Sequence, residues 1–185
     1  MVQTASAEVL ERARKIKLVL MDVDGVLTDG KIYYLPHPSG GLFETKGFDS
    51  QDGIAFQWLR RSGIKTGIIS GRKSEATDER ARTAHCAYSY TGNTEKLPIF
   101  EEILADSHLD PSEIAFLGDD LTDAILMKRV GLAVAAGNAR PEVKKVAHYV
   151  TGSHGGCGVL REATEVILLA QGLWTQILTS YDLEP

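Results

Sequence analysis

The sequence predicts an α/β fold, a doubly wound parallel sheet covered by helices on both faces. Three observations point there. The run Leu18–Met21 is apolar at every position, as a strand buried on both sides requires, and it ends abruptly at Asp22. Short β-prone runs then alternate with helical patterns along the rest of the chain, which calls for crossover connections between parallel strands. The 185 residues are 43% hydrophobic, enough to bury one core with no second domain, so residues 1–185 are expected to form a single domain with 173–185 as its tail.

Taken in order, residues 6–14 read as a short helix, capped by Ser6 or Thr4 and carrying Val9, Leu10 and Ala13 on one side. After the first strand, residues 31–35 and 42–46 are β-prone runs separated by Pro36-His37-Pro38-Ser39-Gly40-Gly41, strong turn chemistry, and predict a protruding hairpin. Residues 51–61 set Ile54, Trp58 and Leu59 at helical spacing and stop before Gly63. A strand over 64–70, a charged helix over 74–84 and a strand over 86–90 follow. The next helix, 96–106, tolerates Pro98 in its first turn. Residues 114–117 form a strand that runs into Gly118-Asp119-Asp120, with a helix from about Thr122. Strands 132–135 and 148–150 bracket a helix opened by Pro141, and a last helix covers 159–171.

Composition excludes several functions. With 20 basic and 25 acidic residues, a net charge of −5 and no basic block, the chain offers nucleic acid no surface. Its longest apolar runs, such as 166–170, are far too short to span a membrane, and VQTASAEVLERARK has no apolar core for a secretory signal. A soluble, cytoplasmic protein is expected. Cys86 and Cys157 stand in no ligand spacing and read as free thiols without a chemical role.

The chemistry concentrates in LVLMDVDGVLTDG, residues 18–30. Ligands of open α/β sheets sit beyond the carboxyl ends of the strands, which is where Asp22 and Asp24 fall. If the extended geometry continues, both point to the same side, and two carboxylates that close call for a cation. A lone Asp-x-Asp is ordinarily a solvated turn; the full pattern is far less common by chance. At the end of another strand, Ser70 offers a hydroxyl and a backbone N–H to phosphate oxygens, and Gly71 lets a ligand approach the backbone.

DVDGVLTDG resembles the first motif of the haloacid dehalogenase superfamily of phosphohydrolases, and closely the branch of 3-deoxy-D-manno-octulosonate 8-phosphate phosphatases. The resemblance continues through FDSQDG (48–53), IISGR (68–72), Lys96, FLGDDLTD (116–123) and GGCGVLRE (155–162). It implies a Rossmann-like fold and a phosphomonoesterase in which Asp22 is the nucleophile that forms an aspartyl-phosphate. Asp24 would act as acid and then base, and Lys96 would steady nucleophile and phosphate. It further implies Mg²⁺ held by Asp22, the Asp24 main-chain carbonyl and Asp119, with Asp120 and Asp123 in support. A small phosphorylated sugar or sugar acid would be bound by Asp24, Asp49, Ser50, Gln51, Asp52, Gly53, Ser70, Gly71, Arg72, Arg80 and Lys96.

The chain departs from the family at Gln51 and Gln57, where basic residues are usual, so another sugar phosphate stands as the alternative substrate. Between Gly30 and Ser70, and again between Ser70 and Lys96, there is no room for the cap domain that many superfamily members insert. A capless site must be closed by its own hairpin or by another subunit, and the resemblance implies a homotetramer. Leu173, Trp174, Ile177 and Leu178 share one helical face, expected to pack on a neighbouring subunit rather than fold back on its own core. Two rivals, a mutase lacking its cap and a dehalogenase with no use for Asp24, fit less well. A third, a non-catalytic tetramerisation module similar to a domain of some sialic-acid activating enzymes, is opposed by Asp22, Asp24, Lys96 and Asp119 together.

Overall fold

In the computed structural model, residues 5–184 are described. Six parallel strands form one sheet: β1 Leu18–Met21, β4 Lys65–Ser70, β5 Tyr88–Thr91, β6 Ile114–Gly118, β7 Leu132–Ala135 and β8 Tyr149–Val150, in the order β5-β4-β1-β6-β7-β8. The chain builds outward from β1 to β5, then returns to the other side of β1 and builds outward again to β8. The reversal beside β1 is the switch point at which such sheets open a crevice. Asp22 follows β1 and Asp119 follows β6, so both acids stand at that crevice.

All four residues of β1, all five of β6 and all four of β7 are buried. Their alternate side chains feed two cores. One face packs Val19, Met21, Ala115 and Leu117 against α1 Ala7–Ala13, α2 Ser50–Arg61 and α7 Val159–Ala170. The other packs Leu18, Leu20, Ile114 and Phe116 against α4 Lys96–Ser107 and α5 Ala124–Met127. Helices therefore cover both faces, as the sequence predicts.

The helix ends follow local chemistry. Ser6 caps α1 by accepting from the Val9 N–H, and Asp49 caps α2 by accepting from Gln51 N–H at 2.7 Å. The alternative cap, Thr4, lies outside the described residues. Boundaries shift by one or two residues at most elements, but the helix expected from Thr122 contracts to the single turn α5, because residues 119–123 are spent on an acidic turn. α6, Pro141–Lys144, is likewise one turn.

The hairpin pairs β2 Tyr33–Pro36 with β3 Leu42–Thr45, antiparallel and separate from the main sheet. Both of its faces are open: Tyr33, Tyr34, Leu35, Leu42 and Phe43 are all exposed. Between β1 and α2 the described residues hold only this hairpin and its connections.

The tail corrects an expectation. Helix α8, Trp174–Thr179, folds back on the chain's own core, with Leu173, Trp174 and Ile177 packed against the cluster that α2 and α7 build. Trp58 explains why: its ring meets Trp174 edge-on at 5.4 Å, and its Nε1–H donates to the Tyr181 hydroxyl at 3.2 Å. Trp58 is a core residue whose polar edge required a partner, and the tail supplies it.

Candidate active site

The floor of the crevice is a buried charge cluster. Asp22 stands at the end of β1 with its N–H donating to Leu117 O of β6 at 3.0 Å, which fixes the backbone under the carboxylate. Lys96, the first residue of α4, is 3% exposed and reaches back under the sheet end. Its ammonium lies 2.9 Å from Asp22 Oδ1 and 2.6 Å from Asp123 Oδ1. Two carboxylates satisfy a charge that could not otherwise be buried. Burial alone would lower the Lys96 ammonium pKa, yet Asp22 and Asp123 together hold it above its usual value, so it stays charged.

Asp123 uses its second oxygen to accept from the N–H groups of Asp119, at 2.9 Å, and Asp120, at 3.2 Å. It shapes the turn after β6 and sets Asp119 beside Asp22. Gly118 is required here, since a Cβ on it would stand 2.5 Å from the Asp123 Cβ. The oxygens of Asp22, Asp119 and Asp123 lie within 4.8 Å of one another, the spacing of a cation site. Asp123 is already committed through both oxygens, which leaves Asp22 and Asp119 as the carboxylates with capacity to spare.

Asp119 Oδ1 is buried without a hydrogen-bond partner. Burial, then the neighbouring Asp123, Asp22 and Asp120, push its carboxyl up to about 8. Asp22 is raised to about 6, by burial against the pull of Lys96 and with the push of Asp123. Carboxyls so raised are short of positive charge, the condition under which a divalent cation binds. The loop after β1 packs directly on Asp119: Gly25, at φ +97°, lies so close to its carboxylate that a Cβ there would stand 2.1 Å from Oδ2.

Asp24 faces the same cleft but belongs to a different cluster. The strand ends at Met21, yet the two acids still share the cleft, and the Asp24 carboxylate is held by Lys46, whose Nζ lies 2.7 Å from Oδ1 and 3.0 Å from Oδ2. Arg72 Nε approaches Asp24 Oδ2 at 3.4 Å. Two lysines, one per aspartate, relieve the repulsion that the sequence alone suggests.

An open cleft of about 400 Å³ joins these groups, lined by Asp22, Asp24, Ser70, Gly71, Arg72, Thr94, Lys96, Asp120 and Thr122. Ser70 and Gly71 thus sit where the sequence places them. Lys46, Thr94, Thr122 and Asn138 escape sequence reading. Asn138 donates to Gly25 O at 3.1 Å and accepts from Gly155 N–H at 2.6 Å, tying the loop after β1 to the Gly-rich 155–158 loop. The rule that singles out Asp22 also finds Asn138 and Thr94, because both follow the carboxyl end of a parallel strand.

The 49–53 segment and Arg80 are not brought into this cleft. Asp49 is the α2 cap, and Ser50 and Gln51 are exposed on the first turn. Asp52 is 1% exposed and accepts from the Arg161 N–H of α7 at 2.9 Å, a bond that caps the first turn of that helix. Burial raises its carboxyl to about 6, against that backbone bond. Arg80 stacks on Phe48 and Phe56 and donates to Asp49 O at 3.2 Å, above Gly53. Its aromatic sandwich holds the segment in place. Cys86 and Cys157 are free thiols, as expected.

Comparison with known proteins now bears on this geometry. The haloacid dehalogenase-like hydrolase family matches residues 85–162. The 3-deoxy-D-manno-octulosonate 8-phosphate phosphatase of Yersinia pestis is 40% identical over 164 residues, 89% of this chain and 86% of its own. The chain belongs to that phosphatase family. The crystal structure of the Yersinia pestis phosphatase superposes with a TM-score of 0.85 at 40% identity, covering 91% of this chain and 89% of that one. The same phosphatase from Moraxella catarrhalis, solved with magnesium, phosphate and 3-deoxy-D-manno-octulosonate (KDO), gives 0.88 at 34% identity, covering 94% and 98%. This chain is accordingly a phosphatase of the haloacid dehalogenase-like class, and the cleft at the switch point of its sheet is the candidate site of that activity.

Proposed function

We propose that the chain is a Mg²⁺-dependent phosphomonoesterase that hydrolyses 3-deoxy-D-manno-octulosonate 8-phosphate through an aspartyl-phosphate on Asp22. The observation that carries this reading is the cleft floor: Lys96 grips one oxygen of Asp22 and leaves the other toward the cleft, beside a partnerless Asp119 oxygen. The substrate is drawn from the names of the relatives, which cover most of both chains.

In this reading the free Asp22 oxygen attacks phosphorus in line with the leaving oxygen, and Lys96 keeps the nucleophile ionised and oriented. Asp22, the Asp24 main-chain carbonyl and Asp119 would hold Mg²⁺, which supplies charge compensation for the phosphoryl oxygens. Ser70 and Gly71, which line the cleft, and Lys96 at its floor would be donors to those oxygens. Asp24 protonates the leaving alkoxide and then takes a proton from the water that cleaves the aspartyl-phosphate. Arg72, half exposed at the rim, is the cation in the cleft best placed for a substrate carboxylate, since Gln51 and Gln57 are exposed on α2 outside it.

The same reading includes a homotetramer. An isolated hairpin with open apolar faces is marginal on its own, and self-association would cover Tyr34, Leu35 and Leu42 while closing a cleft that has no cap.

A phosphate-release screen of sugar phosphates and sugar-acid phosphates, with Mg²⁺ and with EDTA, tests the proposal. Turnover should peak on the octulosonate phosphate and vanish with EDTA. A preference for neutral sugar phosphates would transfer the substrate assignment to them, and EDTA-resistant turnover would overturn the metal role.

A further inference from the structure

Lys46 closes a ring of alternating charges around Asp24. Its side chain is fully shielded from solvent, and besides Asp24 it lies 3.6 Å from Glu44 Oε1 and 3.5 Å from the buried Thr77 hydroxyl of α3, residues Glu75–Thr83. Arg72 bridges the same two acids, 3.4 Å from Asp24 Oδ2 and 3.6 Å from Glu44 Oε2. The ring is electrically neutral, which permits the burial of Lys46 at the cleft wall, and its members come from the β1 loop, the hairpin's returning side and the loop after β4. A buried ammonium with short contacts to both oxygens of one carboxylate fixes the direction of that carboxylate.

We infer that Lys46 is the positioning residue for Asp24, holding its carboxylate at the cleft wall where it meets the leaving oxygen, so that the root of the hairpin is part of the proton-delivery apparatus. This rests on the acid–base reading of Asp24 given above, and on position alone. Proton delivery matters most when the leaving group is a poor one. An alkoxide needs the proton as the P–O bond breaks; 4-nitrophenolate leaves without it. Removing a group that only aims the acid should therefore harm alkyl phosphates selectively, whereas general structural damage should harm both substrates alike.

The test compares kcat/KM for 4-nitrophenyl phosphate with that for the primary alkyl phosphate hydrolysed fastest in the screen. Asp24→Asn should lose far more on the alkyl phosphate than on the aryl one. Lys46→Met should reproduce the same selective loss, at least tenfold in the ratio of the two substrates, and Lys46→Arg should recover part of it. Added to Asp24→Asn, Lys46→Met should change the ratio no further, because the group it aims is gone. Should Lys46→Met not fold, Lys46→Gln, which keeps one donor in place, carries the same comparison. Equal losses on both substrates in a folded Lys46 variant, or a full additional loss in the double variant, overturn the inference while leaving Asp24 as the acid. Equal losses for Asp24→Asn itself would instead remove the acid role, and the inference with it.

Discussion

The main sheet and the hairpin are built from opposite kinds of strand. β1, β6 and β7 are buried at every position, whereas β2 is exposed at every position and β3 is at best half covered. The sheet gains its order from its own helices and can hold Lys96 against Asp22 and Asp123, with the oxygens of Asp22, Asp119 and Asp123 within 4.8 Å of one another. The hairpin is tied to the subunit at its root, where Lys46 and Glu44 meet Asp24 and Arg72. In the proposed reading the nucleophile Asp22 is set by the core, whereas the acid Asp24, in the loop after β1, is held by a lysine from the hairpin root.

The sharpest way to break this contrast is at the sheet. Asp22→Asn should lower kcat by on the order of 10⁴-fold or more, because groups that act as a unit are not replaceable singly; steady-state phosphate release checks it. Lys96→Met leaves Asp22 and Asp123 buried without their cation and should cost about 3–5 kcal/mol of stability in urea unfolding, as well as activity. Asp119, Asp52 and Asp22 set a pH signature. Their carboxyls are raised in the fold, to about 8, about 6 and about 6, from an ordinary 3.8. The native state therefore holds protons that the unfolded chain releases, and metal-free stability should fall as pH climbs from about 4, through about 6 for Asp52 and Asp22 and on to about 8 for Asp119. Asp52→Asn should remove its share of the lower part of that slope, and Mg²⁺ should flatten the upper part; thermal melts across pH read both. The smallest effect belongs to the hairpin. Tyr34→Ser with Leu42→Ser should alter subunit stability by within about 0.5 kcal/mol, since neither side chain is buried in the subunit, yet light scattering should show a smaller assembly. A large loss of subunit stability there would contradict the contrast.

The sequence made the sheet legible because buried parallel strands are apolar on both faces, and Asp22, Ser70 and Asp119 were legible as the polar residues that end them. The motif resemblance supplied Lys96 and Asp123, whose roles no spacing could reveal, since α4 and the acidic turn meet only through the fold. Lys46 was invisible: a lysine after a short exposed strand reads as a solvated charge, and only the packing of α3 against the hairpin root buries it. Asp52 shows the converse. Its place in a motif-like run suggests ligand contact, and the approach of α7 adds a bond from the Arg161 N–H that the sequence does not reveal. The tail was misread because its apolar face had no partner nearby in sequence, although Trp58 provided one in space.

The central claim, covalent catalysis through Asp22, is tested most directly by trapping. Acid-quenched Asp24→Asn enzyme turning over 4-nitrophenyl phosphate with Mg²⁺ should release one burst of 4-nitrophenolate per active site, and peptide mass spectrometry should find a phosphoryl group on Asp22. The absence of both burst and phosphorylated peptide, together with an Asp22→Asn enzyme that still turns over, would contradict it.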